Sequence, residues 1–178
     1  IHGESTVTGK LYGGGYKSAI GKEGEVGSTT INIAGGTIQG DINGGSEQGI
    51  VYGNTDINIG REVTNSTLTA GNIEIKGTIY GAGSSDKANT TPGKAEYEDT
   101  QISVYGETHI NMINSTEAPI TFNGSIYGAG NGSDYSNTTN GSTVRIEDFG
   151  TTATAYQMNS IQKTDKVYIG NSYLELMG

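Results

Sequence analysis

The sequence predicts an all-β protein, built as a parallel β-helix or β-solenoid of about four to five irregular coils. Three observations predict this fold class. Two glycine-containing motifs alternate along the chain, apolar and polar residues alternate with a period of two around them, and large apolar side chains are scarce. We expect residues 1–178 to form a single solenoid domain with long side insertions. An antiparallel β-sandwich is the alternative fold.

The first motif has the pattern G-x-[I/L]-[Y/N]-G-[A/G]-[G/S] and occurs as GKLYGGG, GDINGGS, GTIYGAG and GSIYGAG. These copies span Gly9–Gly15, Gly40–Ser46, Gly77–Gly83 and Gly124–Gly130. Its closing glycines, such as Gly81 and Gly83 with their counterparts Gly128 and Gly130, are predicted to make a sharp turn with positive φ, which glycine adopts without steric cost. A phosphate-binding loop is disfavoured, because no helix follows and no GK[S/T] sequence is present.

The second motif has the pattern G-x-T-x-I-N-[I/M] and occurs at Gly27–Ile33, Gly53–Ile59 and Gly106–Met112. Looser copies lie at Gly141–Ile146 and Gly170–Leu176. From each first motif to the next second motif, the chain has 11, 6, 22 and 10 intervening residues. Stacked coils tolerate such unequal insertions because the loops leave the stack sideways. A hairpin meander would have short, regular turns instead.

Strands are indicated by the period-two pattern inside and beside the motifs. In the second motif, Thr108, Ile110 and Met112 share one predicted face, while His109 and Asn111 take the other. The same alternation places further apolar residues together on inward faces, namely Val7 and Leu11, then Ile73, Ile75 and Ile79, then Ile120, Phe122 and Ile126.

Composition favours a narrow core and limits the partners. Hydrophobic residues make up 32% of the chain, against about 45–50% in an ordinary globular domain. The net charge of −9 disfavours nucleic acid and anionic membrane surfaces, which need a positive field. No apolar run approaches the ~20 residues of a membrane helix, so no membrane insertion is expected. The absence of Cys excludes disulfides and thiolate metal sites.

Tyrosines and asparagines recur at fixed motif positions and form the predicted ligand-binding face. One tyrosine slot in the first motif is outward by alternation, and Asn43 replaces the tyrosine in the second copy. Exposed aromatic rings are platforms for sugar rings, but such a ladder can equally serve to cover the sheet. Asparagines of the second motif, beginning with Asn32, are predicted to bond from coil to coil. The candidate ligand-binding residues are Tyr12, Tyr80, Tyr127, Tyr52, Tyr105, Asn58 and Asn111.

Calcium is the one cofactor for which the sequence offers candidate ligands. Carboxylate oxygens suit this ion, and acidic residues lie in two of the insertions. No EF-hand loop or calcium-binding nonapeptide repeat is present, so solvated loops are the alternative. The candidate calcium ligands are Asp86, Glu96, Glu98, Asp99 and Asp134.

No catalytic residue is predicted. His2 and His109 lack the neighbours of a triad or a zinc site, and His109 is interpreted as an exposed strand residue. Asp41 and Asp56 could approach each other on adjacent strands, although no paired-carboxylate motif marks them.

The alternating G-x-I-Y-G-A-G and T-x-I-N-I units resemble the glycine-rich repeats of large surface proteins of gut Firmicutes and Bacteroidetes. The resemblance covers nearly the whole chain, although the insertions are longer and less equal than in a tidy array. It implies a right-handed β-helix module of a secreted or wall-anchored adhesin, sometimes beside carbohydrate-binding or enzymatic domains. It therefore implies a bacterial, extracellular setting, at the cell surface or secreted.

Two functions are expected from these observations. The first is a non-enzymatic surface or adhesin module that binds a host or dietary glycan or an extracellular protein, or acts as a stalk. Such a module would be excised from a longer chain and contact its flanking domains. The alternative is a polysaccharide lyase or glycosidase-like β-helix acting on acidic or plant polysaccharides. A binder needs aromatic rings and amides on its exposed face, whereas an enzyme needs carboxylates near a base.

Overall fold

The computed structural model describes residues 1–60, 69–84, 104–130, 142–147, 156–162, 166–169 and 172–175. All regular structure in these ranges is β-strand. None of the described segments forms a helix with the length and apolar character required to cross a membrane. The strands are β1 (Thr6–Val7), β2 (Leu11–Tyr12), β3 (Gly21–Lys22), β4 (Glu25–Val26), β5 (Thr29–Ile33), β6 (Gly36–Ile38), β7 (Ile42–Asn43), β8 (Thr55–Gly60), β9 (Ile73–Ile75), β10 (Ile79–Tyr80), β11 (Thr108–Ile113), β12 (Ile120–Tyr127), β13 (Ser142–Glu147), β14 (Tyr156–Gln162), β15 (Lys166–Ile169) and β16 (Ser172–Glu175).

The first sheet has eight strands in the order β1-β6-β9-β12-β10-β7-β2, with β14 also paired to β12. Every pair in it is parallel. Strand β12 is long enough to pair with β9 through its first half and with β10 through its second half. Each earlier repeat therefore has two short strands in place of β12. The first half of β12 corresponds to β1, β6 and β9, and the second half corresponds to β2, β7 and β10.

The second sheet has the order β16-β15-β13-β11-β8-β5. Its strands carry the second motif in register, so that Thr29, Thr55 and Thr108 align. Only the last pair, β15 with β16, is antiparallel in this sheet. Isolated parallel bridges from Ile20 to Val51 and from Val51 to Val104 align a further segment of each repeat.

The core lies between the sheets and consists mainly of isoleucine. Along β5 and β11 the burial of successive residues alternates, as the period-two pattern predicted. The predicted inward residues of β9, β10 and β12 are buried, whereas those of β1 and β2 are only partly buried. The fully buried large side chains include Phe122, Ile33, Ile38, Ile42, Ile57, Ile59, Ile73, Ile75, Ile79, Ile110, Met112, Ile113 and Ile126.

A buried threonine ties each of the strands β5, β8 and β11 to the first motif of the following repeat. The hydroxyl of Thr29 donates a hydrogen bond to the carbonyl oxygen of Gly44 at 2.5 Å. Thr55 donates in the same way to Gly81 at 2.6 Å, and Thr108 to Gly128 at 2.5 Å. These bonds satisfy polar groups inside an otherwise apolar core, which explains why the second motif keeps a threonine at an inward position.

The closing glycines of the first motif have a different role from the predicted one. The described positive-φ glycines are Gly3, Gly21, Gly24, Gly36 and Gly60, and none belongs to this motif. At Gly81 the requirement is close approach, because an added Cβ would collide with the Gly128 carbonyl oxygen and lie 3.0 Å from Thr108 Cβ. The prediction of a positive-φ turn here was wrong; the neighbouring repeat leaves no room for a side chain.

The all-β class and the parallel pairing of most strands are confirmed. Among the described strands, antiparallel pairing is confined to β3 with β4 and β15 with β16. An antiparallel β-sandwich would require the opposite arrangement, so the pairing disagrees with the alternative fold.

Candidate functional site

The outer face of the second sheet carries three aligned rows of polar side chains. Alternate residues of β5, β8 and β11 point away from the core, and the parallel register brings equivalent residues side by side. On β5, β8 and β11 these rows contain no Lys or Arg, whereas the sheet register continues the asparagine row to Arg145 of β13 and the His109 row through Thr143 to Lys166 of β15. The rows are Ser28, Asn54 and Glu107, then Thr30, Asp56 and His109, then Asn32, Asn58 and Asn111.

The asparagine row forms the predicted amide ladder. Asn58 Nδ2 donates to Asn32 Oδ1 at 3.0 Å, and Asn111 Nδ2 donates to Asn58 Oδ1 at 2.9 Å. The amide ladder predicted for this row is therefore present between neighbouring strands. These bonds use the Oδ1 of Asn32, both amide atoms of Asn58 and the Nδ2 of Asn111. A ligand would meet the amide donors and acceptors that these bonds leave over.

His109 lies between two carboxylates. Its Nδ1 is 2.9 Å from Asp56 Oδ1 on the adjacent strand, and its Nε2 is 3.0 Å from Glu107 Oε2 on its own chain segment. His109 faces outward on β11 as a strand residue, as interpreted, but its side chain is only 27% exposed and is therefore less exposed than expected. Aligning the second motifs could have revealed the Asp56 contact, since both residues occupy the same motif position. Glu107 lies two residues before His109, on the same outward face.

The expected approach of Asp41 to Asp56 is not observed. Asp41 lies before β7 of the first sheet, and its Oδ1 accepts a hydrogen bond from the Thr78 backbone N–H at 2.9 Å. Asp56 belongs to β8 of the second sheet and pairs with His109. The approach that the sequence allowed does not occur, because Asp41 precedes a strand of the first sheet whereas Asp56 lies on a strand of the second.

Tyr52 and Tyr105 form an aromatic pair beside the polar rows. Their ring centroids are 5.2 Å apart with an interplanar angle of 52°. Each lies at the position two residues before the first polar row, and Tyr105 is 41% exposed. Val26 of the β3–β4 hairpin is 81% exposed and has its Cγ1 close to Gly53. This end of the polar face therefore offers exposed apolar surface.

The other tyrosine slot forms a ladder with the predicted register, from Tyr12 through Asn43 and Tyr80 to Tyr127. The Tyr80 and Tyr127 rings are stacked, with centroids 5.0 Å apart and planes 19° apart. Burial raises the pKa of Tyr80, and the Asp41 carboxylate and Tyr127 raise it further. One ring face of each tyrosine is covered by the other ring, which limits this pair as a platform for a sugar.

Asn43 departs from the outward placement predicted for its slot. It is fully buried, its Nδ2 donates to the Leu11 carbonyl at 3.3 Å, and its Oδ1 has no hydrogen-bond partner. The Tyr12 hydroxyl bonds Ser84 Oγ at 3.1 Å, one repeat beyond Asn43. The Tyr12 side chain thus extends over the space left by the shorter Asn43 side chain. The row of side chains that covers the first sheet is therefore continuous from Tyr12 to Tyr80.

The predicted calcium ligands Asp86, Glu96, Glu98, Asp99 and Asp134 lie outside the described residues. Within the described ranges, no group of three or more His, Asp and Glu side chains is arranged to hold a metal ion. A shallow depression of about 440 Å³ lies on the first sheet and contains no aromatic side chain. It is lined by Thr37, Asn72, Ile73, Glu74, Pro119 and Thr121.

The fold and this face define an all-β protein of mainly parallel strands, with an aromatic pair next to ordered polar rows. Comparisons of the chain with protein-family models, with curated proteins and with solved structures give no match.

Proposed function

We propose that the chain is a parallel β-solenoid of which each coil contributes a strand to each sheet. The strand order supports this, because in both sheets successive repeats along the chain are neighbours, and the repeats between the two ends pair on both sides. The bridges through Tyr16, Glu47 and Ser84, and through Ile20, Val51 and Val104, support a third aligned segment. Successive coils would then be separated by about 4.8 Å, the spacing of paired strands.

We further propose that this solenoid is a non-enzymatic module of a bacterial extracellular surface protein and that it binds carbohydrate. The observation that carries the proposal is the Tyr52–Tyr105 pair at the end of the polar rows. Tyrosine rings pack against the C–H faces of sugars, while hydroxyls, amides and carboxylates hydrogen-bond the sugar hydroxyls. The aromatic pair lies at the bends that lead into β8 and β11, two residues before the polar rows begin.

The charge on this face favours a neutral glycan. Asp56 and Glu107 are acidic, and the part of the polar rows on β5, β8 and β11 contains no Lys or Arg; the sheet register continues the rows to Arg145 of β13 and Lys166 of β15. A uronate-rich polysaccharide would meet like charges there in addition to the overall net charge of −9. The ligand class proposed is therefore a host or dietary polysaccharide without carboxylates or sulfates.

We expect Tyr105→Ala to weaken the binding of a neutral polysaccharide about tenfold, since truncating an interface aromatic typically costs more than 1 kcal/mol. The measurement is a screen of immobilised neutral and uronate-containing polysaccharides, followed by titration of each one bound. Tyr105→Phe retains the ring and serves as the matched control. Tyr127→Ala tests the second tyrosine ladder and should change the affinity less. A wild-type chain that binds no polysaccharide would contradict glycan binding and leave a structural stalk.

The position of His109 between Asp56 and Glu107 favours one alternative, a polysaccharide-processing enzyme. A base beside two carboxylates is the arrangement such chemistry requires. Against it, both carboxylates are engaged by the same imidazole. We expect no new reducing ends or unsaturated products when the chain is incubated with neutral or acidic polysaccharides. Products that form with the wild type and disappear with His109→Asn would overturn the non-enzymatic assignment.

A further inference from the structure

One edge of the strand stack is formed by β1, β2 and β5. Strands β1 and β2 stand at the two ends of the first-sheet order, and β5 stands at the end of the second. Val7, Leu11 and Ile20 at this edge are only partly buried. Their aligned partners one repeat further on are fully buried, namely Ile38, Ile42 and Val51. The apolar interior is therefore incompletely covered at this edge.

The glycine that opens the first motif faces a backbone carbonyl of the preceding repeat in the later copies, but not in the first copy, at Gly9. A Cβ added to Gly40 would lie 2.5 Å from the Gly9 carbonyl oxygen, and one added to Gly124 would lie 2.7 Å from that of Gly77. Each glycine thus makes room for the carbonyl of the preceding copy. Gly9 has nothing within 4 Å and does not adopt positive φ. A further coil at this edge would place a carbonyl beside Gly9 and account for its lack of a side chain.

Ile1 already pairs with β5 in a defined register. The Ile1 nitrogen donates to the Asn32 carbonyl at 2.8 Å, and the Ala34 nitrogen donates to the Ile1 carbonyl at 2.8 Å. In a parallel pair these two bonds place Ile1 directly beside Ile33. Residues leading into Ile1 would therefore run along β5, beside Asn32, then Ile31.

We propose that the edge of β5 that no described strand covers is the docking edge for a parallel strand of the second-motif pattern, which leads directly into Ile1 as part of a further coil of the same polypeptide. The Thr29 nitrogen donates to Asn54 on the opposite side, so the alternate residues Thr30 and Asn32 direct their backbone groups to this edge. The register would place the apolar residues of the incoming strand above Ile31 and Ile33. The inference rests on the proposed solenoid architecture and is independent of glycan binding.

The test is a chain extended by the six residues GSTTIN, a copy of Gly27–Asn32, placed directly before Ile1. The extended chain reads GSTTINI through Ile1, in register with β5. We expect hydrogen exchange at the Thr30 and Asn32 amides to slow at least about tenfold relative to the parent chain, because these groups gain strand partners. The control carries one additional Gly before Ile1, which shifts the register by one residue and turns the apolar side chains outward. It should show no slowing.

Equal exchange at Thr30 and Asn32 in the two extended chains, whether fast or slow, would overturn the proposal. A parent chain that elutes as a dimer with these amides already protected would assign the edge to a second copy and also overturn it. Amides of β11 in the middle of the second sheet report whether each variant is folded. Polysaccharide binding is measured on the same three proteins. If binding is absent while the Thr30 and Asn32 amides of the in-register extension are protected, the result counts against the glycan proposal alone.

Discussion

Gly77→Ala is expected to lower the free energy of unfolding by about 3 kcal/mol or more, the upper range for overpacking a tightly fitted interior. An added Cβ would collide with the Gly40 carbonyl oxygen and lie 2.5 Å from its carbonyl carbon and 2.8 Å from the Asp41 nitrogen. All three are backbone atoms of the adjacent repeat, so no side-chain rotation can relieve the contact. The paired strands of the two repeats would have to separate locally.

Gly9→Ala is the matched control, since Gly9 occupies the same motif position and has no atom within 4 Å of an added Cβ. It should leave the unfolding free energy unchanged within about 0.5 kcal/mol, or raise it slightly by restricting the unfolded chain. Urea unfolding followed by circular dichroism measures both variants. Equal destabilisation by the two substitutions would show that the glycines serve backbone conformation and not close approach.

Ile110→Ala is expected to cost about 3–5 kcal/mol of stability. Ile110 is fully buried and lies in register between Ile57 and Val144. Parallel hydrogen bonds hold the three strands at a set spacing, so the strands cannot close the cavity left by the missing atoms. The loss should therefore fall in the upper part of the range for such substitutions.

The neighbouring residue supplies the control, because Asn111 is on the same strand and faces outward. Asn111→Ala removes one amide hydrogen bond to Asn58 and should cost only about 0.5–1.5 kcal/mol. Equilibrium urea unfolding of both variants, with equal m-values, gives the comparison. A loss at Asn111 as large as that at Ile110 would contradict the assignment of inward and outward faces.

The candidate site was predictable where it depended on motif position. The three asparagines occupy one position of the second motif, and equal positions in stacked strands become neighbours even when 53 residues separate them, as for Asn58 and Asn111. The pairing of Tyr52 with Tyr105 follows from the same regularity. The contacts of His109 required side-chain positions as well, because it bonds one carboxylate across the sheet and another along its own strand.

Asn43 shows where position in a motif was insufficient. Its slot holds a partly exposed tyrosine in the other three repeats, yet Asn43 is buried. The short side chain cannot reach outward past its neighbours, and Tyr12 extends beyond it to Ser84. Exposure at this slot therefore depends on the sizes of the residues in adjacent repeats as well as on alternation along the strand.

The sequence by itself determined the all-β class and the residues that face inward, because the direction of a strand side chain alternates with each residue and is a local property. It also determined which residues align across repeats, through the spacing of the two motifs. Only the tertiary structure decided which glycines must lack a side chain, which tyrosine faces are covered and which strand edge is open. Those features depend on atoms of the adjacent repeat, held a few ångströms away by hydrogen bonds between strands far apart in the chain.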